Sequence, residues 1–201
     1  MLLTSTAYFA PLSYWAEAIR QGDWQWEAQE NYQKGGFRNR CHIAGPNRVE
    51  LLTIPLVKGK HQSTPIQEVA ISYQTDWVRH HRLSIQAAYG RAPFFEFYAD
   101  ELFAVLNRKL TSLWQLNWSL QQLLIRNLQL DLPFSATAGF QANYATKVLD
   151  LRPRKAASTL ALVPYPQLFQ DRFGFQSDLS ILDLLFCQGP AAGVYLREYK
   201  L

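Results

Sequence analysis

Hydrophobic and polar positions alternate in short runs at the start of this chain, then give way to three- and four-residue spacing in its middle. The first run, "LLTSTAYF" (2–9), is rich in β-branched and aromatic residues and ends ahead of Pro11. Behind it, "SYWAEAIRQG" places Ser13 where a helix N-cap belongs and Gly22 where a left-handed residue stops a helix. Alternating aromatics in "DWQWEA" (23–28) predict a second strand. Strand, helix, strand is the unit that builds a parallel sheet, and ligands of such sheets gather beyond the carboxyl ends of the strands. That edge is expected to carry Tyr8, Phe9 and Pro11 from the first strand and residues 29–34 from the second.

After Gly35 and Gly36, "FRNRCHI" (37–43) and "VELLTIPLV" (49–57) flank "AGPN", whose residues supply turn conformations, so a hairpin is predicted. One more strand is read in "PIQEVAISY" (65–73). The period then changes: "DWVRHHRLSIQAAYG" (76–90) has helical spacing, with Asp76 as N-cap, Gly90 as stop and a mostly apolar face of Trp77, His81, Ile85 and Ala88. Leucines at 102, 106, 110, 113, 116, 120 and 123 predict core-facing helices over 100–107 and 117–128. "PFSATAGFQANYA" and "KVLDLRP" read as extended or looped, and "YPQLFQDRFGFQ" as an aromatic connection punctuated by proline. A final helix in "DLSILDLLFCQGP" has Asp178 as N-cap, a stripe of Ile181, Leu182, Leu185 and Phe186, and a Gly189-Pro190 stop. The expected architecture is one α/β domain over 1–201, with a Rossmann-like mixed sheet beginning β-α-β, an inserted β-hairpin and packed helices.

Composition narrows the function classes. With 201 residues and 48% hydrophobic content the chain can bury a single sizeable core, which argues against disorder. A net charge of +4 drawn from only 18% charged residues, without a Lys/Arg block, favours anionic small molecules and gives no nucleic-acid footprint. Cys41 and Cys187 have neither metal nor redox spacing and read as reduced thiols. No apolar run approaches the ~18 residues of a membrane span. The start lacks a basic leader region, so a cytoplasmic protein is expected.

Candidate chemistry concentrates in "EAQENYQKGGFRNRCHI" (27–43). If this segment is extended, Arg38, Arg40 and His42 share one face, and Asn39, Cys41 and Ile43 the other. Two guanidiniums so placed could clamp phosphate or carboxylate oxygens, with Lys34 adding a point charge; the competing reading is the solvated face of an edge hairpin. Glu30, Asn31, Tyr32 and Gln33, together with Asn39, either read the hydroxyls of a sugar or ribose or tie down the turn. His80 and His81 are neighbours about 100° apart on a helix and so make no metal site. His81 lies on the face of Trp77 and is read as a buried histidine or a general base. Tyr89, at the end of that helix, would border the same cleft. Asp183 is either exposed or the buried partner of an arginine. No P-loop, Gly-rich dinucleotide motif or nucleophile elbow is present, and the sequence names no cofactor.

Four blocks in this order, "ENYQKGGFRNRCHI", "LTIPL", a Trp-x-x-x-His helix ending "AYGRAPFFEFY", and "YPQLFQDRFGFQSDLSILDLLFCQGP", resemble the WbqC-like protein family of bacteria over nearly the whole chain. That family is associated with surface-polysaccharide (O-antigen) gene clusters. The resemblance implies a role in glycan or activated-sugar metabolism. On it rests the expectation of a group-transfer enzyme acting on an anionic, nucleotide-activated substrate such as a nucleotide sugar. In that enzyme Arg38, Arg40 and His81 would be catalytic, and Asn31, Tyr32, Gln33, Lys34, Asn39, Trp77 and Tyr89 would bind substrate. The alternative is a non-catalytic binding or assembly protein of the polysaccharide apparatus, docking through "YPQLFQDRFGF" and "FFEFY". "SATAGFQANYATKVLDLRPRKA" stands where some members carry a longer segment, so the chain resembles a shorter variant. Its strand, Pro-containing turn and amphipathic helix also resemble HxGH-type nucleotidyltransferases, without either motif histidine, which supports only the Rossmann-like sheet.

Overall fold

In a computed structural model the described residues are 1–57, 64–144, 147–152 and 162–198. Four short strands form a parallel sheet in the order β5-β2-β1-β6: β1 (Leu2–Thr4), β2 (Trp24–Trp26), β5 (Phe134–Ala136) and β6 (Leu149–Asp150). β3 (Arg40–Gly45) and β4 (Arg48–Thr53) make a separate antiparallel hairpin. The predicted α/β domain is therefore present, but its sheet is all parallel and the inserted hairpin stands apart from it.

The opening unit forms as the pattern requires. Leu2 and Leu3 are fully buried in β1, and α1 (Leu12–Gln21) ends at Gly22, whose φ of 74° makes it the left-handed stop. The cap at the other end has a different origin. Pro11 holds the N-cap position and contributes no side-chain bond; instead Asp178 accepts from the Ser13 backbone N–H (2.8 Å) and from Ser13 Oγ (3.1 Å). A carboxylate distant in sequence thus satisfies a donor that α1 leaves open, next to the positive end of its dipole.

Helices α2 (Trp77–Tyr89), α3 (Phe95–Asn107) and α4 (Leu113–Asn127) carry the leucine pattern into the core, with Asp76 and Ser112 capping α2 and α4. α3 and α4 begin about a turn before the expected 100 and 117, and Phe95, Ala99, Leu113 and Leu116 are buried in the added turns. Residues 65–73 hold a 3₁₀ turn at Ile66–Glu68 and isolated bridges instead of the expected strand. Their alternating apolar residues point inward without a continuous partner strand. α5 (Gln170–Phe173) is one turn. α6 (Ile181–Gln188) starts three residues after Asp178, and Gly189 and Pro190 lead directly into α7 (Ala191–Arg197), so the expected stop is a joint between two helices. Cys41 and Cys187 are buried free thiols, and burial pushes the Cys187 thiol up to about 12.

β1 pairs with β2 on one side and with β6 on the other. The chain crosses from β1 through α1 to β2, and β5 extends the sheet the same way, while β6 lies on the opposite side of β1.

Candidate ligand cleft at the carboxyl edge of the sheet

Two buried ion pairs and an open cleft occupy the carboxyl edge of the strands. Past β1 and β2, Arg38 grips Glu30 with Nε to Oε1 (2.9 Å) and Nη2 to Oε2 (2.8 Å), and Nη2 also donates to Ser5 Oγ (2.6 Å). Ser5 in turn donates to Glu30 Oε2 (3.0 Å), which closes the network. Asn117 of α4 donates to the Arg38 carbonyl and to Thr6 Oγ1, pinning the turn against the loop after β1. Nearby, Tyr14 on α1 has its phenol pushed up to about 12 by burial, against the moderating charge of Arg38.

The second pair lies at the ends of β2, β5 and β6. Glu27, fully buried, accepts from Arg152 Nη1 (2.7 Å), from Thr137 Oγ1 (2.6 Å) and from the Gln29 N–H (3.0 Å). Arg152 also makes a bidentate pair with Asp150 and donates to the carbonyls of Gln141 and Ala142, so all three of its nitrogens are engaged. Its guanidinium lies 5.0 Å from the ring centre of Tyr144.

Beside this second pair is a cleft of about 540 Å³. Ala28 and Gln29 from the end of β2, and Ala136 and Thr137 from the end of β5, form one side; Trp114, Gln115, Trp118 and Ser119 of α4 form the other, with Gln67, Arg108 and Leu110 at the rim. Trp114 and Trp118 are four residues apart, hence on one helix face, and their rings stack at 5.8 Å with planes 22° apart. Trp26 of β2 meets both edge-on (5.9 and 6.0 Å), and Phe134 of β5 packs on Trp118 at 4.6 Å. The strands therefore fix the indoles, while both tryptophans remain half-buried. Gln67 Nε2 donates to the Ala28 carbonyl and is oriented by it. Such a cleft offers flat apolar faces, a guanidinium and several amides, a donor set suited to a ring carrying hydroxyls and negative charge.

The residues singled out from sequence are dispersed around this edge. Arg38 sits in a turn ahead of β3, buried on Glu30, while Arg40 is the first residue of β3 and half-exposed. The expected shared face of Arg38 and Arg40 does not form, because alternation applies only to extended backbone and residues 36–39 turn. Asn39 and Tyr32 are buried partners: Tyr32 O–H donates to Asn39 Oδ1, and Asn39 Nδ2 donates to the Ile54 carbonyl (2.8 Å). Asn31, Gln33 and Lys34 are exposed, with Asn31 bridging to Pro65. These residues tie the turn to the hairpin and to 64–66, and Gly36 supplies the left-handed conformation (φ 63°) that the turn needs.

Trp77, His81 and Tyr89 line the buried face of α2. His81 Nδ1 and the Tyr8 hydroxyl share a hydrogen bond (2.9 Å), and the ring also bonds the Thr53 backbone. Burial, with His80 adjacent, lowers its pKa to about 4 against that backbone bond, so the ring is neutral near pH 7. The Tyr89 hydroxyl oxygen accepts from the Ala44 N–H, and the phenol lies near Asp183. His81 and Tyr89 are two turns apart on α2, about 12 Å along its axis, and the Thr53 backbone that His81 bonds lies opposite Arg40 in the hairpin. Asp183 is fully buried, but its partners are Tyr165 O–H (2.5 Å) and Gln167 Nε2 (2.8 Å) in place of the expected arginine. It lies in the first turn of α6, where the dipole favours a carboxylate.

Glu27, Thr137, Asp150, Arg152, Trp114 and Trp118 were not among the sequence candidates. Glu27 carried a signal: it follows the apolar "WQW" at the carboxyl end of a strand. Thr137 and Arg152 follow strands of three and two residues, too short for period-two alternation to declare. Among the described residues no group of His, Cys, Asp and Glu could hold a metal ion, and no helix is long and apolar enough to cross a membrane. No curated protein and no solved structure matches the chain. The model of the WbqC-like protein family matches residues 7–162, a span that includes both ion pairs and the cleft, and the chain belongs to that family.

Proposed function

We propose that the protein is a group-transfer enzyme of bacterial glycan-precursor metabolism and that its anionic, nucleotide-activated substrate occupies the tryptophan-walled cleft. The observation that carries this reading is the stacked pair Trp114 and Trp118 at the carboxyl ends of β2 and β5, with Arg108 at the rim. An indole face accepts a nucleobase or the apolar face of a sugar. Arg108 would meet phosphate oxygens, and Gln29, Gln67 and Gln115 would read hydroxyls. Rate acceleration would come from positioning and from charge stabilisation. Family membership supports the metabolic setting, and the location at the strand ends supports a ligand.

Calorimetric titration with nucleoside diphosphates and nucleotide sugars tests the proposal, read alongside tryptophan fluorescence. Wild type should bind one class and quench the indoles, and Trp114→Ala should weaken that binding about tenfold, within the ~1–3 kcal/mol of one stacking contact. Absence of binding, or an undiminished affinity in both Trp114→Ala and Arg108→Gln, would refute it.

The non-catalytic alternative retains one supporting observation: Phe97 of "FFEFY" is 74% exposed. The other proposed docking stretch is largely committed to the fold, since Tyr165 is buried on Asp183 and Phe169 and Phe175 pack against the core.

A further inference from the structure

A second cavity, of about 420 Å³, lies between α2 and the end of α3. Its lining brings together Arg79, Arg82 and Lys109, with Gln86 and Asn107 as neutral polar neighbours. None of these three cations makes an ion pair among the described residues. That contrasts with Arg38 and Arg152, each held by carboxylates. Asp76 also borders the cavity, but its carboxylate caps α2 by accepting from the Arg79 N–H (3.3 Å). Arg82 is steadied from the other side, its guanidinium 5.2 Å from the ring centre of Phe103. Lys109 follows the last turn of α3 with φ of 50°, a left-handed position that glycine would fill with less strain.

We propose that this cavity is a binding site for a compact polyanion of linked phosphates, separate from the tryptophan cleft. Three cations share this lining with one carboxylate, that of Asp76, so the cavity is net positive, and a ligand with two or more negative charges offsets the excess. Two guanidiniums match the geometry of phosphate oxygens and the ammonium adds a movable point charge. The cavity has no aromatic wall among its described lining, so recognition rests on the phosphates and not on a base. Lys109 and Arg108 are consecutive, and they line different cavities: Arg108 the cleft and Lys109 this one.

Titration of the full chain with pyrophosphate, and in parallel with uridine diphosphate, tests the site. Wild type should bind pyrophosphate, more weakly as salt is raised, and Arg79→Gln/Arg82→Gln should weaken it at least about tenfold. Lys109→Gly, which relieves the left-handed strain and so keeps the fold, should weaken it severalfold. Equal affinity for both probes assigns free pyrophosphate chemistry; tighter uridine diphosphate binding that the same substitutions abolish assigns the diphosphate of a nucleotide. Either outcome supports the site. No pyrophosphate binding by wild type overturns it, as does binding lost in Arg108→Gln yet kept in Arg79→Gln/Arg82→Gln. Because the tryptophan cleft is read by Trp114→Ala and indole quenching, the two proposals can fail separately.

Discussion

The arginines at the edge of the parallel sheet and those around the two cavities differ in what neutralises them. Arg38 and Arg152 have side chains only 4% and 8% exposed, and each is matched to carboxylates through several nitrogens. Arg79, Arg82 and Arg108 are exposed and lack such partners among the described residues. A buried guanidinium without its carboxylate would leave an uncompensated charge, so the first group is bound to the fold; the second group remains available to an outside anion. Charge type and sequence clustering do not separate these roles. Burial and pairing do.

Removing one partner of the Glu30–Arg38 pair gives the sharpest test of this contrast. Arg38→Ala or Glu30→Ala should each destabilise by about 3 to 5 kcal/mol in urea unfolding, because the other charge is left buried. Glu30→Gln/Arg38→Met should recover part of that loss. If either single substitution leaves the unfolding midpoint unchanged, the pair does not hold this edge together.

Acid should expose the next largest effect, at His81. Its folded pKa of about 4 lies below its ordinary value of 6.5, so the unfolded chain binds the proton more tightly. Stability from the neutral ring is complete above pH 6.5 and is lost as pH falls toward 4. The loss is on the order of 3 kcal/mol, from ~1.4 kcal/mol per pKa unit. His81→Gln should flatten this part of the stability profile; an unchanged profile would assign the acid sensitivity elsewhere.

The cap that Asp178 lends to α1 is worth less. Asp178→Ala should lower stability by about 1 to 2 kcal/mol, in the range of lost N-caps. Hydrogen exchange in the first turn of α1 should quicken with it, and unaltered protection there would mean that Ser13 and Pro11 suffice.

Arg108 completes the series from the opposite side. Arg108→Gln should shift stability by no more than about 0.5 kcal/mol, as for other surface positions, while reducing nucleotide affinity about tenfold. A large loss of stability would show that Arg108 belongs with Arg38 in holding the fold.

Much of this could be read along the chain, because periodicity is a local property. The β-α-β opening, the hairpin turning at Pro46 and Asn47, and α2 with Asp76 at its start all follow from residues close to one another. The free state of both cysteines was legible from their spacing, and their burial came from the fold. The candidate segment 27–43 begins at the carboxyl edge of the sheet, where Ala28 and Gln29 line the cleft. Within it, however, extended geometry was assumed where the chain turns, so the pairing of Arg38 with Arg40 was replaced by Arg38 with Glu30.

By itself, then, the sequence determined the α/β class, the main helices with several of their stops, and the parallel opening that makes strand ends the place to look for a ligand. Hydrophobic period, capping residues and glycine conformations act over a few residues and need no distant partner. Only the tertiary structure decided which polar groups meet. It brought Asp178 to Ser13 and Arg152 to Glu27, and it set Trp114 and Trp118 against Trp26 and Phe134. Strands as short as β5 and β6 carry too few residues to declare a period, and they find their place through partners far along the chain. Whether a cation ends up paired in the core or open to an anion is settled by those long-range contacts, since burial belongs to the folded chain as a whole and not to any segment of it.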